Sequence, residues 1–515
     1  MSRIESSRKN IISGTVFQGM YLVMNFAIRI LILRKAGIEA LSLNGLFTEV
    51  IWVLSIAELG VGVSISYSLY KPLAEHDEEK TASVMRIFKK AYMAIGIAVF
   101  IAGMLVMPFL RHLITGMDPD MGYVRFVFFI FILQSAVPYF FSFKSALLNA
   151  DQKNYVVTRM NLFIRTFFFI LEGAVLIFTG NYVLYLGIQL LYNVVFQVVV
   201  SREVDKRYPY LKNAKPLPKK ETAAIFTNVR RMFVGRLSNR VLNSTDNILI
   251  STLVNTAMVG VYSQYSMLIN GFLRLFAQVN DAITGSVGHL LVTESPEYCK
   301  KKFESVTWVY FAGGNFVSLC FFAGANAFLR GFVGKDYLIG EEVLAISAMN
   351  LGFEIFKMPL WTFFTAAGLF KEDQGISFAG CVLNIIASLI LGKKYGMSGI
   401  FIGTFLSLLL MAVMKAGVLY RSTFQGGVMG LQLYLLIHGA DLAAVYMLLK
   451  RTSVIENDIL RFFVNCGAAG ALSLLTAVLP FWRNERSEFG RRAVKDAVEK
   501  FKKPRRGNKE VIRDD

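Results

Sequence analysis

The sequence has little charge, few cysteines and few histidines. Asp, Glu, Lys and Arg together make up only 18% of its 515 residues, where an ordinary soluble domain carries about a quarter. The four cysteines, Cys299, Cys320, Cys381 and Cys466, lie far apart without metal-ligand spacing. A disulfide framework or a zinc site is therefore not expected. Histidine adds no ligand set, since His76 and His112 fall in separate connectors. No metal centre and no bound organic cofactor is anticipated. A glycine-rich phosphate loop of the form G-x-x-x-x-G-K-S/T is also missing, which excludes nucleotide hydrolysis by that route.

What the chain does hold is apolar. Hydrophobic residues make up 55% of it, 44 of them Phe. They gather in blocks of about twenty, the length that crosses a bilayer. The expected fold class is an all-α polytopic membrane protein. Spans read at 11–33, 45–69, 91–110, 121–148, 160–179, 183–200, 223–253, 257–288, 305–330, 341–369, 375–391, 399–419, 428–448 and 459–482 make fourteen transmembrane helices. In 223–253 polar residues repeatedly interrupt the pattern, and a soluble amphipathic helix is the alternative there. The first block follows Arg3, Arg8 and Lys9 like the start of a signal peptide. It is too long for one, holds Arg29 and lacks a small-residue cleavage site, so it reads as a retained first helix.

Lysine and arginine set the direction of the spans. With the N-terminus inside, inner segments hold 34 of these residues and outer segments 8. Both termini are then cytoplasmic. The formal charge of +19 would suit nucleic acid, but the basic residues sit in short connectors and in the tail, so no nucleic acid is expected. Arg491, Arg492, Lys502, Lys503, Arg505 and Arg506 of that tail suit anionic membrane lipid.

The ends of spans four and ten look alike. Each carries a proline, an aromatic run, small residues and a short charged turn, beginning at Pro138 and at Pro359, 221 positions later. Parallel repeats of this kind mark transporters built from two related halves; a chance likeness between two Phe-rich helices is the alternative. The organisation expected is an N-terminal lobe at 1–200, a basic cytoplasmic linker at 201–222, a C-terminal lobe at 223–419, two further helices within 428–482, and a basic cytoplasmic tail at 483–515.

Several apolar blocks carry charge in their middle. Charge at membrane depth is costly and persists where it faces a cavity, a partner or a path. In span eight, Asn270, Arg274, Gln278 and Asp281 recur at helical spacing. Span seven holds Arg236, Arg240 and Asp246 among several asparagines. Asn25 and Arg29 are four apart in span one, Glu58 lies in span two, and Arg165 and Glu172 share a face of span five. Polar side chains also glue membrane helices together, and a purely structural network is the competing reading. An excess of arginine makes poor glue, however, and invites an anion. Gly60, Gly62, Pro138 and Pro359 are the candidate bend points.

The strings Ile11-Ile-Ser-Gly-Thr-Val-Phe-Gln18, Leu54-Ser-Ile-Ala-Glu58-Leu-Gly60, Ser68-Leu-Tyr70-Lys-Pro-Leu-Ala74-Glu, Ala150-Asp-Gln-Lys-Asn-Tyr155 and Ser244-Thr-Asp246-Asn-Ile-Leu-Ile250 carry a family resemblance. With the fourteen-span layout they resemble the multidrug/oligosaccharidyl-lipid/polysaccharide (MOP) exporter superfamily. Within it the chain is most similar to the Wzx-type polysaccharide flippases, over spans one to twelve at least. The resemblance implies a MATE-like fold of two six-helix lobes plus two helices, in a bacterial plasma membrane, working as a monomer beside other polysaccharide assembly proteins. It implies a transporter, not an enzyme, that flips an undecaprenyl-pyrophosphate-linked oligosaccharide to the outer leaflet by alternating access. Arg29, Arg236, Arg240 and Arg274, with Asn25, Asn270 and Gln278, are the headgroup candidates, since guanidinium forks suit phosphate oxygens. Glu58, Glu172, Asp246 and Asp281 are candidates for binding Na+ or H+ as the coupling ion, or for balancing the arginines. The rival readings are a multidrug or other amphiphile exporter of the same superfamily, a non-transporting scaffold, and a membrane glycan enzyme.

Overall fold

In a computed structural model the described residues are 19–21, 23–58, 61–151, 153–218, 221–223, 227, 245–424, 431–452, 455 and 457–481. Every apolar block within them is helical, and no strand occurs among them. Helix α1 covers 23–31 and runs through a π turn, Ile32–Ala36, into α2, Gly37–Leu54. Then follow α3 (Val61–Ala74), α4 (Glu78–Val106), the short α5 (Leu110–Leu113), α6 (Met121–Tyr139), α7 (Phe143–Ala150), α8 (Asn154–Thr179) and α9 (Tyr182–Arg207). After α10 (245–253) come α11 (Thr256–Thr293), α12 (Pro296–Val333), α13 (Glu341–Phe356), α14 (Met358–Ala366), α15 (Phe370–Leu419), α16 (Leu431–Thr452) and α17 (Asp458–Ser473).

Local chemistry sets many of the ends. Asp77 caps α4 by accepting from the Lys80 amide at 2.8 Å, and Asn181 caps α9 by accepting from the Leu184 amide at 3.0 Å. Each satisfies an amide that the first helical turn leaves without a carbonyl. Gly180 closes α8 in the left-handed region at φ 62°, where a side chain would be strained. The two repeated spans are both broken. Span four splits into α6 and α7 just after Pro138, and span ten splits into α13 and α14 just before Pro359.

Nine of the described helical stretches are long and apolar enough to cross a membrane. Their outward faces are apolar: Phe163, Phe167, Ile170 and Phe178 of α8 are 69%, 63%, 63% and 85% exposed. That is the pattern of a surface solvated by acyl chains, with every backbone group satisfied inside its own helix. Helix α11, which carries Asn270, Arg274 and Gln278, is not among the nine.

The chain divides into two compact units. The first takes Met1–Gly271, Leu329–Val343 and Asp373–Leu408. Here small residues let α2 and α11 meet: a β-carbon on Gly45 would stand 2.9 Å from Val259 Cγ1, and one on Gly260 3.0 Å from the Ser42 amide nitrogen. Close approach at small residues is a common way for helices to associate in lipid. An apolar core of Leu69, Val84, Phe88, Tyr92, Tyr139, Phe143, Leu147, Leu148, Val200 and Val204 joins α3, α4, α6, α7 and α9.

The connector expected at 201–222 is no loose link where it is described. It begins as the last turns of α9, then turns at Pro209–Asn213 and packs Tyr210, Leu211 and Leu217 on that core. Arg86 donates to the Ala214 carbonyl at 3.0 Å, Lys215 pairs with Glu79 at 2.7 Å and Lys80 with Glu221 at 3.2 Å. The apolar contacts outweigh the exposed ion pairs, which are each worth at most about 1 kcal/mol.

Helix α15 is two helices joined at Gly396, whose φ of 61° and ψ of −137° reverse the chain. The arms pack closely, because a β-carbon on Gly403 would come within 2.8 Å of the Ser388 Cα. Gly403→Ala is therefore expected to cost about 1–3 kcal/mol by overpacking. Gly417→Ala, with nothing within 4 Å of its β-carbon, is the control and should be neutral or slightly stabilising. Thermal unfolding of the two variants in detergent checks both.

The second unit takes Phe272–Phe328, Leu344–Glu372 and Leu409–Asp515. The last two helices pack on α12. The Trp308 indole donates to the Ala477 carbonyl at 3.0 Å, the Phe311 and Tyr434 rings stack at 4.5 Å, and Gly324 makes room for Phe462 and Cys466. A buried polar network reinforces this: Asn315 donates to Asp441 at 2.8 Å and contacts His438 Nδ1 at 2.6 Å, and Thr476 donates to Asp441 at 2.6 Å.

Candidate functional site

The charges inside the spans fall into three physical classes: paired, hydrogen-bonded to a neutral side chain, and open. Arg165 and Glu172 of α8 are paired. Seven residues apart, they meet through two hydrogen bonds of 2.6 and 3.0 Å, and both are buried. The guanidinium also lies 4.9 Å from the centre of the Tyr192 ring, whose hydroxyl donates to Asn161 at 2.6 Å. A two-point ion pair with an aromatic face leaves little charge for a ligand. Glu172 is thus the counter-charge of Arg165. Lys144 is occupied by Asp205 and Ser201, each at 2.7 Å. Glu354 and Lys357 pair at 2.8 Å.

Arg29 of α1 is half-buried in the first unit and donates to the Ser263 carbonyl of α11 at 2.6 Å. Tyr21, Tyr182, Tyr185 and Glu49 are near enough to feel its charge. Nearby on the same elements, Asn247 donates to Glu49 at 3.2 Å and Tyr182 to Asn44 at 3.1 Å. Asn25 donates to the Tyr21 carbonyl at 2.7 Å, within its own helix. Arg29 therefore stands in a polar seam of tyrosines and amides, with Glu49 near by.

Asp246 of α10 is of the second kind. Thr404, on the second arm of α15, places its hydroxyl 3.1 and 3.3 Å from the two carboxylate oxygens. Asn384, on the first arm, donates to Thr404 at 3.1 Å, and its own carbonyl oxygen accepts from Thr245 at 3.3 Å. The Ile400 carbonyl lies 3.3 Å from Thr404 Oγ1 and 3.1 Å from Ser388 Oγ. The carboxylate is thus met by one hydroxyl, from which side-chain hydrogen bonds run through Asn384 to Thr245, all within the first unit and all on α10 or the folded α15. Among the described residues no cluster of three or more His, Cys, Asp or Glu exists to hold a metal.

Thr245, Asn384, Ser388 and Thr404 were not among the expected site residues. A signal was present: Asn384 and Ser388, and Ile400 and Thr404, recur at a spacing of four in two otherwise apolar spans. Their significance depended on the reversal at Gly396, which the sequence pattern does not disclose.

Asn270, Arg274 and Gln278 are exposed on α11. Arg274 makes no hydrogen bond or ion pair with any described residue. Among the described residues it is the open charge, placed to meet an anion or water. Glu58 accepts from Tyr139 Oη at 2.7 Å, at the break between α2 and α3. Gly62 lies in the first turn of α3, and Pro138 and Pro359 lie at helix breaks. Arg236, Arg240, Gly60 and the side chain of Asp281 fall outside the described residues.

No protein-family model and no curated protein matches the chain by sequence. Solved structures do match it in fold. The lipid II flippase MurJ, in an inward closed conformation, superposes with a TM-score of 0.64 at 14% identity, over 90% of this chain and 98% of that one. An inward-facing multidrug resistance MATE family transporter of the MOP superfamily gives 0.59 at 16% identity, over 84% and 96%. A MOP superfamily transporter from Pyrococcus furiosus, described as having a binding pocket of reverse polarity, gives 0.59 at 13% identity, over 83% and 98%. At these identities the likeness speaks for architecture alone, and in architecture this chain is an all-helical, multi-span protein with the fold shared by MurJ and the MATE transporters.

Proposed function

We propose that the chain is a MOP superfamily transporter that flips an undecaprenyl-pyrophosphate-linked oligosaccharide from the inner to the outer leaflet by alternating access. The observation that carries this reading is Arg274: an exposed guanidinium with no partner among the described residues, on a helix that also exposes Asn270 and Gln278. A pyrophosphate leaving water needs a cation, and arginine keeps its charge at any working pH. Asn270 and Gln278 add donors and acceptors suited to sugar hydroxyls. The prenyl tail stays in lipid while the headgroup crosses. Arg29, Arg236 and Arg240 belong to the same path in this reading, and the two lobes at 1–200 and 223–419 rock about it.

In this reading Asp246 is where a coupling cation, Na+ or H+, is taken up. Asp246 supplies the charge and the Thr404 hydroxyl lies beside it. Because Thr404 and Asn384 link both arms of α15 to α10, occupancy there bears on how those arms are held to α10. Glu172 balances charge in place. A multidrug exporter has the same fold, but cationic drugs need open carboxylates, and Glu172 and Glu58 are engaged by Arg165 and Tyr139.

Replacing Arg274 by Gln should abolish flipping of a labelled lipid-linked oligosaccharide in proteoliposomes, a loss of at least about a hundredfold for a charge-assisted contact to phosphate. The variant should still fold and reach the membrane, because Arg274 holds no structural partner among the described residues. Wild-type flipping by Arg274→Gln would remove the assignment.

A further inference from the structure

We propose that Glu58 and Tyr139 form a clasp that ties two helix breaks of the first unit together, and that positioning those breaks, not ligating an ion, is the work of Glu58. The cycle it serves is the transport cycle proposed above; the hinge measurement below does not depend on that reading.

The first break lies between α2 and α3. Helix α2 ends at Leu54 and the chain continues as a tighter 3-10 turn, Ser55–Glu58, before α3 starts at Val61. The second lies between α6 and α7. Helix α6 ends at Tyr139, one residue after Pro138, and α7 resumes at Phe143. The Pro138 carbonyl takes the amides of Phe141 and Ser142 at 3.0 and 2.8 Å, so this break is a built turn. Breaks of this kind are the places where a helix bends.

One hydrogen bond joins the two. Tyr139 Oη donates to Glu58 Oε2 at 2.7 Å, across 81 residues of sequence. The tyrosine is held from behind by α4. A β-carbon on Gly96 would stand 3.0 Å from Tyr139 Cβ and 3.2 Å from the Ala136 carbonyl, and the Tyr92 ring lies 6.1 Å away. With that side filled, the phenol is aimed at Glu58. A phenol donating to a carboxylate is a charge-assisted bond, among the stronger kinds.

Beyond the breaks, α3 and α7 are not independent. They pack on each other, and Leu69 of α3 shares one apolar core with Phe143, Leu147 and Leu148 of α7. Packed segments of this type move as a block, with discrete alternative positions. The clasp sits where that block joins α2 and α6. Closed, it fixes both bends at once; open, it leaves each break free to bend without the other. Under the topology read from lysine and arginine, this block is the inner end of the first unit, where an inner gate belongs.

The clasp and an ion ligand are separated by three variants. Gln at 58 loses the charge but still accepts from Tyr139. Ala at 58 and Phe at 139 each remove the bond, and Phe keeps the shape of the ring. Hydrogen–deuterium exchange of peptides covering 53–58 and 138–143, on purified full-length protein, reads the breaks directly. Y139F and E58A should each raise exchange about tenfold in both segments and slow flipping by a similar factor, while E58Q stays within about threefold of wild type, as expected for a charge-assisted bond lost or weakened. The E58A/Y139F double variant should be no worse than either single one, since the pair shares one interaction. Unchanged exchange in Y139F overturns the clasp, as does an E58Q as inactive as E58A beside a wild-type-like Y139F. If wild type itself flips no lipid-linked sugar, the transport reading falls and the exchange pattern alone judges the clasp.

Discussion

Replacing Asp246 by Asn is expected to slow flipping about a hundredfold, about 2.8 kcal/mol at 1.4 kcal/mol per tenfold, and to make the residual rate indifferent to any ion gradient. The carboxylate is the only formal charge in the hydrogen-bonded group of Asp246, Thr404, Asn384 and Thr245. Affinity in such sites follows the charge count of the ligands, so an amide of equal shape removes the main attraction. Thr404→Val and Asn384→Ala each withdraw a neutral oxygen and should cost less, about tenfold. A second readout needs no transport: Na+ should raise the unfolding temperature of the wild type in detergent by mass action and leave Asp246→Asn unmoved. A Na+ shift that persists in Asp246→Asn would move the ion elsewhere. No Na+ shift in wild type, with flipping driven by a pH gradient and lost in Asp246→Asn, would assign the same carboxylate to protons.

Removing Glu172 should have the largest effect on stability. Arg165 and Glu172 are 5% and 0% exposed and meet at 2.6 Å. Taking away one member of a buried pair strands the other and costs about 3–5 kcal/mol, whereas replacing both with apolar residues of similar size is often neutral. Glu172→Ala should therefore unfold at a markedly lower temperature and accumulate poorly in the membrane. Arg165→Met with Glu172→Leu should recover most of the loss and retain flipping. If the apolar double variant folds well but no longer transports, the pair has a second role besides charge balance.

Much of the architecture could be read directly from the chain. The blocks at 91–110, 160–179 and 183–200 became α4, α8 and α9 because an apolar run of that length has little choice in lipid. The breaks near Pro138 and Pro359 were also readable, since proline cannot continue a helix's hydrogen bonding. The connector at 201–222 read as a basic linker, and its charge hid the apolar side chains of Tyr210, Leu211 and Leu217 that pack on the core.

The surroundings of the candidate residues were legible only in part. Asp246 stood out as a carboxylate in an apolar block. Its hydrogen-bonded neighbours did not, because Thr and Ser are common in membrane helices and show a contact only when the fold brings them together. The pairing of Arg165 with Glu172 was suggested by their spacing of seven, two helical turns. That of Glu58 with Tyr139 could not be, because a tyrosine 81 residues away gives no periodic signal. Asn315 and Thr476, which hold Asp441, are likewise too far along the chain to give a periodic signal.

The most direct test of the central claim is reconstitution. Purified protein in liposomes would be given a fluorescently labelled undecaprenyl-pyrophosphate oligosaccharide in one leaflet, and its appearance in the other followed with an impermeant quencher. Flipping that depends on the protein, rises with an imposed Na+ or H+ gradient, and disappears in Arg274→Gln is the expected result. Protein that leaves this lipid in place under every gradient, yet expels cationic amphiphiles, would contradict it and favour a drug exporter on the same fold.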